Sequence, residues 1–164
     1  MSNRILFSET QRFRQWWLWI ILIGVNGLFI VSLIQEFVFK TPEPGQGMNT
    51  ALILSGIIPL IITVFFLNIK LETEVKEDGI YVRLFPLHLK YKFFAWSDIA
   101  SAEVRTYKPI KEYGGWGLRG MGKNMAYNVS GDQGLQLVLK TGHRLLIGTQ
   151  QPEAIEALLK KIFS

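Results

Sequence analysis

Residues 70–85, KLETEVKEDGIYVRLF, mark the point at which the chain changes its hydrophobic period to two. Leu71, Thr73 and Val75 alternate with Glu72, Glu74 and Lys76, and Ile80, Val82 and Leu84 share one face. Successive strand side chains point to opposite faces, so each run buries one side against a core. Glu77-Asp78-Gly79 between them is a tight hairpin turn.

Downstream the same alternation recurs. Pro86 closes the second strand, and Leu89, Tyr91 and Phe93 alternate with Lys90, Lys92 and Phe94 in a third. Trp96-Ser97-Asp98-Ile99 reads as a corner and Ala100–Tyr107 as a fourth strand. Met125–Val129, Leu135–Lys140 and Arg144–Gly148 follow, separated by turns at Ser130–Gly134 and Thr141-Gly142. The end differs. Pro152 suits a helix's first turn, and Ile155, Leu158, Leu159 and Ile162 have helical spacing, with Lys160 and Lys161 at the favourable C-terminal pole. Seven antiparallel strands and one amphipathic helix predict a strongly bent sheet or partly open barrel plugged by that helix, an α+β domain over residues 70–164.

Upstream the chain is apolar. Trp16–Ile34, WWLWIILIGVNGLFIVSLI, sits in a stretch without charge between Arg14 and Glu36, and Ala51–Ile69, ALILSGIIPLIITVFFLNI, is also uncharged. About 20 residues at ~1.5 Å rise cover the ~30 Å of a bilayer core. A transmembrane hairpin over 16–69 is predicted, with spans 16–39 and 51–69. Trp16, Trp17 and Trp19 are expected as interfacial anchors. A cleaved signal peptide is the competing reading, but the run is too long and no small-x-small site follows it. Pro59 is expected to kink the second span, and Gly24, Gly27, Ser55 and Gly56 offer small surfaces for close contact. Lys40–Thr50, with Pro42, Pro44, Gly45 and Gly47, is a turn-rich loop. Residues 1–15 form a basic N-terminal segment, in which Ser8 and Gln11 have capping-box spacing for a helix running into the first span. Arg4, Arg12 and Arg14 on one flank and Lys70 on the other, against the single Lys40 between, place both termini in the cytoplasm.

The chain carries a net charge of +5. From Lys70 onward it has 14 Lys/Arg against 10 Asp/Glu. Mild basicity beside a membrane points to anionic headgroups, whereas nucleic acid would require a denser basic stripe or a known module. Absence of cysteine excludes disulfides, thiol nucleophiles and cysteine metal sites. His88 and His143 are expected as exposed strand-end residues, without paired carboxylates or an H-E-x-x-H spacing. No enzyme activity and no cofactor are expected.

One stretch escapes both periods: Tyr107–Asp132, YKPIKEYGGWGLRGMGKNMAYNVSGD. It lacks the terminal Lys-Ser/Thr of a P-loop. Two readings stand side by side. The glycines permit positive φ in a folded-back loop whose Trp116 covers the end of the barrel. Alternatively, Trp116 with Lys108, Lys111, Arg119 and Lys123 makes a basic, aromatic contact with anionic lipid or a protein partner. No linker separates Ile69 from Leu71, so the domain is expected to lie against the cytoplasmic surface of the bilayer.

Residues 70–163 resemble the bacterial pleckstrin-homology-like (PH-like) domains, in which seven strands and a C-terminal helix follow membrane spans. The resemblance rests on Lys92-Phe93-Phe94-Ala95-Trp96-Ser97-Asp98-Ile99, like the group's W-x-D-I corner, and on the run Leu145–Glu153 entering the helix. With Gly114-Gly115-Trp116-Gly117 and Ser130-Gly131-Asp132, the whole chain is similar to small two-span bacterial membrane proteins of uncharacterised function. This implies the fold and a bacterial inner-membrane location. A binding or assembly role, as a homo-oligomer or with a partner in a larger membrane complex, is expected for the chain as a whole. The resemblance does not extend to phosphoinositides: the turn that binds them in relatives here carries Glu77 and Asp78, which repel phosphate.

Overall fold

The computed structural model describes residues 4–39 and 50–163. The expected loop Lys40–Thr50 lies outside the described residues except for Thr50, which begins a helix. The chain divides into two units: Arg14–Asn68, and the residues through Phe13 together with those from Ile69 onward.

The first unit is helical because Trp16–Ile34 and Thr50–Asn68 are apolar around the whole circumference and carry no charge. Helix α1 spans Trp16–Ile34 and continues as a π-helical stretch, Gln35–Phe39. Trp16–Val38, 23 residues at mean hydropathy 2.3, is the one helix among the described residues long and apolar enough to cross a membrane. Helix α2 spans Thr50–Asn68, with Pro59 inside it and a shorter apolar run, Leu54–Asn68. The two helices pack together. Of the expected glycine contacts, Gly56 closes: a Cβ there would fall 1.7 Å from the Phe29 ring, whereas Gly24 and Gly27 face open space. Asn26 donates across the pair to Thr63 Oγ1 at 2.8 Å, and the Thr63 hydroxyl donates to the Pro59 carbonyl.

The second unit begins with a strand that corrects the expected helix. Ile5–Arg12 is β1, and Ser8 and Gln11 are not a capping box. It pairs antiparallel with β2, Lys70–Lys76, in a register that sets Glu9 opposite Thr73 and Arg12 opposite Lys70. ILFSETQR has its own alternation, Phe7, Glu9 and Gln11 against Leu6, Ser8 and Thr10. Its inward face is polar, which hid the strand. The two-residue turn Glu77-Asp78 then leads into β3, Gly79–Phe85, as expected. Strand β4 is shorter than expected, Lys92–Ala95, because Pro86–Tyr91 forms turns instead. These four strands form one sheet in the order β1-β2-β3-β4.

The Trp96–Asp98 corner is a 3-10 turn that carries the chain into a second sheet. Trp96 pins it, its Nε1 donating to the Lys76 carbonyl at 3.0 Å and its ring meeting Phe163 edge-on. The second sheet has the order β5-β8-β9-β7-β6. Its strands are β5 Ile99–Thr106, β6 Gly117–Met121, β7 Asn124–Asn128, β8 Gln133–Leu139 and β9 Arg144–Gly148. The short helix α3, Pro109–Tyr113, lies between β5 and β6, and α4, Pro152–Ile162, ends the chain.

The unit is therefore α+β, but the expected seven-stranded antiparallel barrel is corrected on two counts. From Lys70 onward the described strands number eight and β1 adds a ninth from the N-terminal segment, in two sheets that do not close on each other, and β7 runs parallel to β9. The parallel pair arises because the β6-β7 hairpin is inserted before β8 and docks on β9, the far side of the β8-β9 hairpin.

Leu71, Val75, Ile80, Val82 and Leu84 are buried on one face of the first sheet, and Leu135, Leu137, Leu145 and Ile147 on one face of the second. Fully burying each such side chain contributes about 1.5–3 kcal/mol before entropy is counted. Helix α4 packs on β5, β8 and β1, strands of both sheets, through Ile155 and Leu159. The other face of the second sheet has its own small core of Tyr107, Tyr113, Ala126 and Leu146.

Candidate functional site

The glycine-rich stretch is a built structure. Helix α3 starts at Pro109 and stops at Gly114, whose φ of +72° is the left-handed conformation that glycine adopts without penalty. Gly114 and Gly115 donate back to the carbonyls of Ile110 and Pro109, satisfying the last turn. Glu112 ties the helix down, accepting from the Lys108 amide at 2.7 Å and from Arg105 at 2.8 Å. Hydrogen bonds from the Arg105 guanidinium and then from the Lys108 amide hold the Glu112 carboxyl below its ordinary range. Tyr107 lies buried beneath, its hydroxyl accepting from Asn128 Nδ2 at 3.0 Å, and burial pushes its pKa up to about 12.

The five residues singled out from sequence are distributed over this structure. Lys108 and Lys111 are exposed at the start of and on α3. Trp116 is half-buried, its Nε1 donating to the Gly131 carbonyl at 3.0 Å, and Arg119 is exposed with its Nε on the Trp116 carbonyl at 2.8 Å. Trp116 and Arg119 are thus brought together. Lys123 is elsewhere, in the turn between β6 and β7. Trp16, Trp17 and Trp19 occupy the first turn of α1, with Trp16 the most exposed of the three.

Lys123 belongs to a different constellation, which sequence reasoning missed. Its carbonyl accepts from the Arg144 amide at 2.6 Å, latching the β6-β7 turn to the start of β9. The β8-β9 turn is closed by the Leu139 amide on the His143 carbonyl and the Gly142 amide on the Leu139 carbonyl. Across from these turns stands β4 with Lys92 and Phe94, and the Lys92 ammonium lies 5.5 Å from the Tyr127 ring centre. Together they enclose a cleft of about 190 Å³ at the open edge between the two sheets. Phe94, Met125, Tyr127, Leu139 and Leu145 make its walls apolar, while Lys92, Lys123, His143 and Arg144 contribute polar groups. All four of these are exposed, no carboxylate lines the cleft, and no ion pair engages the three Lys and Arg cations among the described residues. The signal in sequence was weak: recognising the cluster requires the parallel β7-β9 pairing, which sets Asn124 opposite Arg144.

Next to this cleft, His88 departs from expectation. It is half-buried, its ring 5.6 Å from Tyr127, and its Nδ1 is buried without a hydrogen-bond partner. Burial, and secondarily the Lys92 charge, hold its pKa below the ordinary value. His143 is exposed as expected.

The cations of β2 and β3 are, by contrast, committed. Glu72 is buried and meets Lys70 at 2.7 Å and Arg83, whose Nε donates at 2.6 Å. Burial raises the Glu72 pKa, but these hydrogen bonds more than offset it, so the net shift is downward. Arg83 also lies over the Tyr91 ring and Lys76 over Tyr81. Such closed networks hold β2 and β3 in register and leave none of Lys70, Lys76 and Arg83 for a ligand. No group of three or more His, Asp or Glu side chains gathers as a metal site among the described residues. No family model matches the chain, and no curated protein is detectably similar to it.

Proposed function

We propose that this chain is a membrane-anchored, PH-like binding module without catalytic activity, its β-rich unit on the cytoplasmic face of a bacterial inner membrane. The observation that carries the proposal is the register of β1 and β2. The apolar unit Arg14–Asn68 is inserted between two hydrogen-bonded neighbours, leaving the sheet after Arg12 and rejoining it at Lys70. An insertion with both ends at one edge of a folded sheet must cross any bilayer an even number of times. Two crossings by α1 and α2 satisfy this; one crossing does not. Asn26 and Thr63 pair between the helices, as expected for polar groups that have no water to bond. The corner at Trp96–Asp98 and the terminal amphipathic helix support the PH-like reading.

Anionic lipid remains a proposed contact for Lys108, Lys111, Arg119 and Lys123. A second reading, a protein-interaction subunit, is favoured by Leu87, Leu89 and Phe93, all exposed at or beside edge strand β4. Charge reversal at Lys111 and Arg119 weakens association with anionic vesicles in the first reading. Leu89→Asp removes a co-purifying protein in the second.

Excision tests the anchor. Phe13 and Ile69 follow in register from the Arg12–Lys70 pair, so an Asn-Gly turn replacing residues 14–68 is expected to join them as a hairpin. That chain is expected in the soluble fraction with its β-rich unit folded, and the full chain in membranes after alkaline extraction. A full chain released by alkaline extraction would overturn the anchor.

A further inference from the structure

We propose that the cleft between β4 and the two turns is a binding site for a single-chain anionic amphiphile drawn from the membrane. The alkyl chain would lie inside, and the phosphate or carboxylate head at the mouth.

The walls and the charges require both parts of that ligand. Tyr127 and Leu145 form a buried floor, and Phe94, Met125 and Leu139 are half-buried around it. A free phosphate would have no use for five apolar side chains. A cleft of about 190 Å³ lined by five apolar side chains suits a single length of alkyl chain.

The charge is equally one-sided. Lys92, Lys123 and Arg144 converge without a carboxylate, and His143 adds a further donor. Three cations without an ion pair line one apolar opening, and an anionic head would give them charge-assisted hydrogen bonds. The backbone holds the arrangement before any ligand arrives, because the Arg144 amide is bonded to the Lys123 carbonyl. This is preorganisation, which reduces the ordering cost of binding. The site is also distinct from the Glu77-Asp78 turn, whose acidic side chains disfavour anions.

The inference rests on the membrane-anchored reading for the source of its ligand. Its chemistry is tested separately, because alkaline extraction of the full chain does not depend on the cleft. The full chain, carrying ¹³C-methyl methionine, is placed in nanodiscs of neutral phosphatidylcholine and titrated with octyl phosphate. Of its four methionines, Met125 lines the cleft and Met121 is 91% exposed on β6, an internal control. The Met125 methyl resonance, assigned through Met125→Leu, is expected to shift saturably while that of Met121 does not. Octylamine and octyl glucoside are expected to leave Met125 unmoved. The double variant Lys123→Glu with Arg144→Glu should weaken the response by about tenfold or more, as loss of charge-assisted hydrogen bonds implies. Unchanged amide hydrogen exchange of β7 and β9 in that variant shows that the strands carrying the cleft persist. A Met125 shift produced equally by inorganic phosphate alone overturns the alkyl-chain part. An equal shift with octylamine overturns recognition of the anionic head, and absence of any saturable shift overturns the site.

Discussion

Arg12 and Lys70 face each other across antiparallel strands, although the entire Arg14–Asn68 unit lies between them in sequence. The N-terminal residues are therefore part of the β-rich unit. Glu9 reinforces the union, since its carboxylate accepts the Thr149 hydroxyl at 2.7 Å and the Gln150 amide at 2.8 Å, at the entrance to α4. Gln11 adds a hydrogen bond to the Gly148 carbonyl at 2.6 Å.

Removing the Glu9 carboxylate should accordingly destabilise the fold at a distance from the mutation in sequence. Glu9 is 6% exposed, so Glu9→Ala leaves two donors without a partner at a cost of about 1–3 kcal/mol. Thermal unfolding of the purified full chain measures this. Glu9→Gln is expected to lose less, because its amide oxygen still accepts. Equal stability of Glu9→Ala and the wild type would mean that β1 contributes no anchoring.

His88 is expected to make the β-rich unit acid-sensitive. Its folded pKa is lowered by burial and by Lys92, so the unfolded chain binds more protons once pH falls below the ordinary value of about 6.5. Stability from this group is fully present above about pH 6.5 and is lost as pH falls toward the folded pKa. Denaturation midpoints of the wild type should therefore fall between pH 7.5 and pH 5.5 by more than those of His88→Gln. Parallel curves for the two proteins would count against the effect.

Gly120 tests how far the glycines serve shape. Its φ is +88°, and a Cβ would stand 2.1 Å from the Asn124 carbonyl oxygen of the paired strand. Gly120→Ala should destabilise the β6-β7 hairpin by more than about 1 kcal/mol, whereas Gly122→Ala, which meets only open space, costs less. Hydrogen exchange of the Arg119 and Met125 amides reports the difference. Similar exchange in both variants would remove the steric argument.

How much of this was legible follows from what each residue does. Apolar alternation at Leu71–Val75, Ile80–Leu84 and Leu135–Leu139 revealed strands because each has one face buried in a common core. The spacing of Ile155 and Leu159 revealed α4 for the same reason. Strand β1 was concealed because Glu9 and Gln11 point inward, and a polar inner face looks like a solvated segment. Strand β6 was concealed by its glycines, which remove the side chains on which periodicity depends. The site was legible only in part. Lys123 stood out within a glycine-rich run, but Lys92, His143 and Arg144 are isolated polar residues until long-range pairing gathers them beside Tyr127.

The central claim is that the chain enters and leaves the bilayer on one side, and cysteine accessibility tests it directly. The native chain has no cysteine, so single replacements at Thr10, Gln46 and Thr141 can be probed with a membrane-impermeant maleimide in intact cells and after lysis. Labelling of Gln46→Cys in intact cells, with Thr10→Cys and Thr141→Cys reacting only after lysis, is the predicted result. Opposite accessibility of Thr10→Cys and Thr141→Cys would contradict it, because β1 could not then pair with β2.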